Sequence, residues 1–123
     1  MILLDTSAVL YLLAAHRPAR PLAPHRGRLG FSPMVLLELQ FLAETGRGRF
    51  TTGTPAAAVR NDPRWSVDDP PLDGVATRAL EVGWTRDPFD RLIAAHALYR
   101  GWRLATSDAD MLKHMPAGTT VAL

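Results

Sequence analysis

Short apolar runs alternate with longer amphipathic stretches along this chain. Residues 1–5 form an apolar run closed by Asp5. It has the length of a strand, although periodicity alone does not distinguish so short a run from a buried helical turn. Thr6 or Ser7 can cap a helix reaching residues 13–15. Residues 17–28 are dense in Pro and Arg and read as a loop. Residues 29–31 are a second candidate strand. Ser32-Pro33 opens a helix, with the hydroxyl at N-cap and proline at N1. That helix covers residues 34–44 and stops near Gly46. Residues 47–54 form a glycine-containing connection, and Thr54-Pro55 starts another helix that ends near Asn61-Asp62-Pro63. Residues 65–67 read as a strand and 71–82 as a helix. Asp87-Pro88 opens a helix to about Arg100, which Gly101 is placed to stop. A strand over 102–106, a short helix over 108–114 and a strand over 119–123 complete the pattern. Strands alternating with helices predict an α/β fold with a central, mainly parallel sheet and helices on both faces.

The length, 123 residues, predicts a single domain over 1–123. No repeat, low-complexity segment or dividing linker interrupts it. The apolar fraction of 47% is that of a globular protein, so disorder is not expected. Cysteine is absent, which excludes a disulfide scaffold and a thiolate metal site. It also agrees with a reducing, cytoplasmic location. No apolar run reaches the ~18 residues of a spanning helix. Asp5 interrupts the apolar N-terminus and no basic residue precedes it, the reverse of a signal peptide. No membrane partner is expected.

The candidate chemistry lies in the acids. Asp5 ends the first strand, at the edge where open α/β sheets gather ligands; a helix cap is its simpler reading. Glu38 has Met34, Val35, Phe41 and Leu42 as its helical neighbours and projects from an apolar stripe. Burial of an unpaired carboxylate is costly, so Glu38 needs a cation or donor partner. Asp87 and Asp90 share one helix face, with Asp87 also suited to N-cap and Asp90 to N3. The face of Asp90 continues into Ile93, Ala94 and Ala97, as for a helix lying close on a sheet. Asp108 leaves its strand as Asp5 does, with capping again the plain alternative. Asp5, Glu38, Asp90 and Asp108 thus come from four elements and can converge at one sheet edge. Like charges raise each other's pKa, so such a cluster calls for a cation. Oxygen-only ligands favour Mg²⁺ or Mn²⁺ over zinc, and a hard cation on carboxylates suits phosphodiester hydrolysis.

The net charge of +2 hides an asymmetry. From Thr6 to Arg64 there are eight arginines and three acids; from Trp65 onward, six basic residues and eight acids. The first half is a candidate phosphate-facing surface. Arg17, Arg20, Arg26 and Arg28 are its candidate phosphate contacts, flanking the acidic site, with a merely solvated surface as the alternative.

The segments Ile2-Leu3-Leu4-Asp5-Thr6-Ser7, Ser32 followed by Glu38, Arg86-Asp87-Pro88-Phe89-Asp90-Arg91-Leu92-Ile93-Ala94-Ala95 and Leu104-Ala105-Thr106-Ser107-Asp108 together resemble the PIN-domain family, and within it the VapC-like toxins of toxin–antitoxin pairs. The resemblance implies a PIN-like fold and a metal-dependent endoribonuclease. In it Asp5, Glu38, Asp90 and Asp108 form the catalytic acids. Asp5, Asp90 and Asp108 hold Mg²⁺ or Mn²⁺, with Asp87 as an accessory ligand and Thr6 and Thr106 as supporting donors. It further implies an RNA substrate, a homodimer and a cognate antitoxin that inserts a segment near the site. The resemblance gives Asp110 no assignment.

Other chemistries find little support. The histidines His16, His25, His96 and His114 lack metal-ligand spacing, and His96 reads as an ordinary helix-surface or partly buried residue. No Gly-rich loop ending in Lys-Ser/Thr is present, against P-loop nucleotide hydrolysis. No serine has a Gly-x-Ser-x-Gly setting, against acyl transfer. An aspartyl-nucleophile phosphotransferase wants a second acid two residues after Asp5, where Ser7 stands. The remaining alternative is a catalytically inactive PIN-like RNA- or protein-binding module with structural acids.

Overall fold

The structure, a computed structural model, describes residues 1–47 and 54–123. In chain order it comprises β1 (Ile2–Leu4), α1 (Thr6–Leu13), a 3-10 helix (Arg17–His25), β2 (Leu29–Phe31), α2 (Pro33–Glu44), α3 (Pro55–Arg60), β3 (Ser66–Val67), α4 (Leu72–Ala79), α5 (Pro88–Arg100), β4 (Arg103–Thr106), α6 (Ala109–His114) and β5 (Thr120–Ala122). Each predicted strand and helix is present, with ends moved by a residue or a few. The expected connection over 47–54 falls mostly outside the described residues.

The five strands form one parallel sheet in the order β3-β2-β1-β4-β5. The chain adds β2 and β3 on one side of β1, then returns to add β4 and β5 on the other. Right-handed crossovers in opposite directions put helices on both faces, as the alternation predicts. The strand order reverses at β1, and the crevice for a ligand lies beyond the carboxyl ends of the strands at such a reversal. Asp5 is the residue that leaves β1 there.

Burial on both faces explains why β1 reads as an unbroken apolar run: Ile2, Leu3 and Leu4 are all buried. The core joins them to Leu39, Ile93 and Leu104. Ala94, Ala95 and Ala97 let α5 lie close to the sheet. Gly101 ends α5 in the left-handed conformation at φ 68°, which a Cβ disfavours. No helix among the described residues is long and apolar enough to cross a membrane.

One expectation is corrected. Residues 17–25 are a 3-10 helix, not an irregular loop. Pro18, Pro21 and Pro24 recur every third residue, matching the 3-10 turn, whereas prolines in the middle of an α-helix would break its hydrogen bonds. Ala19 and Leu22, also three apart, are the residues this helix buries.

Candidate metal centre

Four elements deliver acids to a cleft of about 520 Å³ at the carboxyl edge of the sheet. Its wall includes Asp5, Glu38, Asp87, Asp90 and Asp108. Asp5 follows β1, is 4% exposed, and caps α1 by accepting from Thr6 N at 2.7 Å. Glu38 projects from the middle of α2 and is half-buried. Asp90 lies in the first turn of α5. One oxygen each from Asp5, Glu38 and Asp90 lie within 4.8 Å of one another. These three acids are far apart in sequence and meet because β1 lies between β2 and β4.

Hydroxyl groups hold two of them. Thr6 Oγ1 donates to Glu38 Oε1, supplying the donor partner that burial of Glu38 demands. Thr106 Oγ1 donates to Asp5 Oδ2 at 2.7 Å and accepts from Asp108 N at 3.0 Å. Ser7, to which the sequence assigns no role at the site, is a third. Its hydroxyl donates to Asp5 Oδ2 at 3.3 Å and accepts from Ser107 N at 3.1 Å, joining the start of α1 to the loop bearing Asp108. Its place two residues after Asp5, in the first turn of a helix leaving the site, is the signal that could have found it.

The local energetics are those of crowded like charges. Burial raises the Asp5 carboxyl above its ordinary range; hydrogen bonds from Thr106, Thr6 and Ser7 work against that, and the Asp108 charge adds to it. Burial also raises Glu38, partly offset by Thr6 and reinforced by Asp5, Asp87 and Asp108. Burial, then the charges of Asp87, Asp5, Glu38 and Asp108, push Asp90 up to about 7. No ion pair to any of these acids is found among the described residues. Arg91, next to Asp90, directs its Nε to Ala79 O at 2.8 Å, at the end of α4. Three oxygens with raised proton affinity and no cationic partner fit a hard divalent cation, which takes oxygen ligands and relieves the repulsion.

The capping readings also hold. Asp87 Oδ1 accepts from Phe89 N at 2.8 Å and Asp90 N at 3.2 Å. Asp108 Oδ1 accepts from Met111 N at 2.9 Å and caps α6. Both residues line the cleft, outside the group of three that Glu38 completes. Asp110 is exposed.

The placement of the arginines corrects the sequence reading. None of Arg17, Arg20, Arg26 and Arg28 lines the acidic cleft. Arg28 immediately precedes β2, and its carbonyl accepts from Ile2 N at 2.8 Å, so it stands at the amino edge of the sheet. Its neighbours in the 3-10 helix bridge the far end of α1 to that edge. In a parallel sheet every residue entering a strand lies opposite the carboxyl edge, and a count of charges along the chain does not register this.

His96 is also more than an ordinary helix residue. It is buried, and its Nε2–H donates to Asp68 Oδ2 at 2.7 Å, while Arg100 Nε reaches the same oxygen at 2.9 Å. Burial holds the imidazole below its usual range, Asp68 partly opposing it. This group ties the end of β3 to α5.

The PIN domain family model matches residues 2–117, and the chain belongs to that family. Its fold is shared with a chain of a toxin–antitoxin complex from Klebsiella pneumoniae, at 16% identity and TM-score 0.68 over 99% of this chain and 97% of that one. The DNA-bound VapBC of Salmonella typhimurium gives 21% identity and TM-score 0.67 over 98% and 96%. PAE2754 from Pyrobaculum aerophilum is 30% identical, with TM-score 0.59 over 98% and 88%. No curated protein sequence matches the chain. The fold is thus VapC-like, as the sequence motifs suggest.

Proposed function

We propose that this protein is a metal-dependent endoribonuclease that hydrolyses RNA phosphodiester bonds and acts as the toxin of a toxin–antitoxin pair. The observation that carries the chemistry is the meeting of Asp5, Glu38 and Asp90 oxygens within 4.8 Å, with proton affinities raised and no cationic side chain paired with them among the described residues. Membership of the PIN domain family supports the reading. The toxin–antitoxin complexes among its structural relatives support the biological role and a protein antitoxin as partner.

Asp5, Glu38 and Asp90 would hold Mg²⁺ or Mn²⁺, with Asp108 and Asp87 lining the same cleft. A bound divalent ion polarises a phosphoryl oxygen, lowers the pKa of water and neutralises charge on the leaving oxygen. The chain supplies geometry. Thr106 and Ser7 fix the Asp5 carboxylate, Thr6 fixes Glu38, and α5 presents Asp90. The positively polarised start of α5 also favours negative charge at Asp87 and Asp90. Arg86, exposed beside Asp87, is better placed to meet an RNA phosphate than the arginines at the amino edge. A homodimer belongs to the same reading. It is supported by the apolar side chains Leu37, Phe41, Leu72, Leu80 and Tyr99 left exposed on α2, α5 and the α4 segment.

The test is cleavage of bulk RNA with Mg²⁺ or Mn²⁺ and again in EDTA. Cleavage that requires the cation supports the proposal. Undiminished cleavage in EDTA contradicts the metal mechanism, and RNA binding without cleavage in any condition favours an inactive binding module.

A further inference from the structure

Arg26 and Arg28, in the turn between the 3-10 helix and β2, stand at the edge of the sheet away from the carboxylates. α1 leaves Asp5 at the carboxyl edge and runs back across the sheet. The 3-10 helix therefore begins and ends near the amino edge. Arg17, Arg20, Arg26 and Arg28 are exposed, and none makes an ion pair among the described residues. Arg103 starts β4 at this edge, its Nη2 3.4 Å from His25 Nε2. Arg64 leads toward β3 and is held by Asp62 at 2.6 Å and by Leu12 O at 2.9 Å. A cavity of about 450 Å³ opens beside Arg26 and Arg64, with Leu12, Leu22, Ala23 and Leu29 in its wall.

We infer that this edge is a docking surface for an acidic, amphipathic polypeptide segment of a partner protein. The inference rests on the toxin–antitoxin reading for the existence of such a partner. Its chemistry comes from the surface itself. An apolar cavity takes aliphatic or aromatic side chains, and the Arg26 guanidinium in its wall matches a carboxylate in paired hydrogen bonds. RNA is the competing ligand for an arginine-rich edge. Surfaces that hold single strands add aromatic platforms on which bases stack, and among the described residues none lining this cavity is aromatic. An apolar wall rewards side chains that RNA lacks. The surface lies across the sheet from Asp5, Glu38 and Asp90, so a segment held here contributes grip to the complex without itself touching the metal ligands.

The experiment follows fluorescence anisotropy of a labelled peptide of alternating Glu and Leu residues, with labelled oligouridylate in parallel. Proteins are the intact chain, Arg26→Glu and Ala23→Glu, each checked for an unchanged thermal midpoint. Both substituted side chains are exposed, so the fold is expected to survive. The peptide should bind the intact chain and lose about tenfold in affinity or more with either substitution, the size expected when a contacting charge is reversed. Mn²⁺-dependent RNA cleavage should be unchanged. Absence of peptide binding, binding by both variants as tight as that of the intact chain, or loss of oligouridylate binding in place of peptide binding would overturn the inference. If the intact chain shows no metal-dependent cleavage, the ribonuclease reading falls, and the peptide result still decides this one separately.

Discussion

The hydroxyl of Thr106 donates to Asp5 Oδ2 at 2.7 Å although the two residues are 101 apart in sequence. Thr106 Oγ1 in turn accepts from the backbone N–H of Asp108 at 3.0 Å. One side chain at the end of β4 therefore orients the carboxylate at the end of β1 and shapes the turn that carries the next acid. Thr6 does the equivalent for Glu38.

Thr106→Val keeps the shape of the side chain and removes its donor. It is expected to weaken Mn²⁺ affinity by about 10–100-fold, the usual cost of losing a partner that orients a metal ligand. Thr106→Ser should restore most of the loss. Calorimetric titration with Mn²⁺ checks this, and equal affinity in the valine variant would reduce Thr106 to a packing role.

Asp90 sits at about 7, above its ordinary 3.8, so the native metal-free protein holds that proton more tightly than the unfolded chain. Its effect on stability is therefore a loss as pH rises through the window from 3.8 toward about 7. His96 acts oppositely: burial depresses it below 6.5, and stability is lost as pH falls through that range. Comparison with Asp90→Asn cancels His96. In EDTA, Asp90→Asn should melt higher than the native sequence at pH 8, with the gap closing by about pH 5, where Asp90 is protonated. Thermal melts across pH test it, and a gap independent of pH would contradict the assigned crowding.

Asp87 and Asp108 serve as helix caps and as negative charges in the cleft. Asparagine caps a helix about as well as aspartate, so Asp87→Asn and Asp108→Asn separate the two functions. Both variants should keep their thermal midpoints and bind Mn²⁺ more weakly than the native chain, yet more tightly than Asp90→Asn. Destabilisation by either asparagine would mean that its carboxylate charge supports the fold.

Asp68 accepts from both His96 and Arg100. Asp68→Asn removes the charge from a partly buried network and is expected to cost on the order of 1–3 kcal/mol, the range for hydrogen bonds to charged groups and for groups left unpaired. Urea unfolding measures it. Cleavage per folded molecule should be unchanged, since the network lies outside the acidic cleft.

Much of this was legible in the chain. Ser32-Pro33 and Asp87-Pro88 mark helix starts because a side-chain acceptor precedes a residue with no N–H to satisfy, and both caps form. Glu38 stood out because charge on an apolar helical stripe demands a partner, and Thr6 is that partner. The 3-10 helix was missed because Pro and Arg density reads as a loop unless the three-residue spacing of Pro18, Pro21 and Pro24 is noticed. The position of Arg26 and Arg28 was misjudged for a topological reason: nearness in sequence to the helix bearing Glu38 says nothing about which edge of the sheet a residue faces. The Asp68–His96–Arg100 group joins the end of β3 to α5, and no local pattern reports such a contact.

The most direct measurement is the rate of RNA cleavage by Asp90→Asn at saturating Mn²⁺, beside the native chain and with folding confirmed by thermal melt. Removing one carboxylate from the proposed centre should cost roughly 100-fold or more, since a bound metal supplies several kcal/mol of charge stabilisation and each tenfold in rate corresponds to about 1.4 kcal/mol. A well-folded Asp90→Asn that cleaves RNA at the native rate would contradict the assignment of this cleft as the catalytic metal centre.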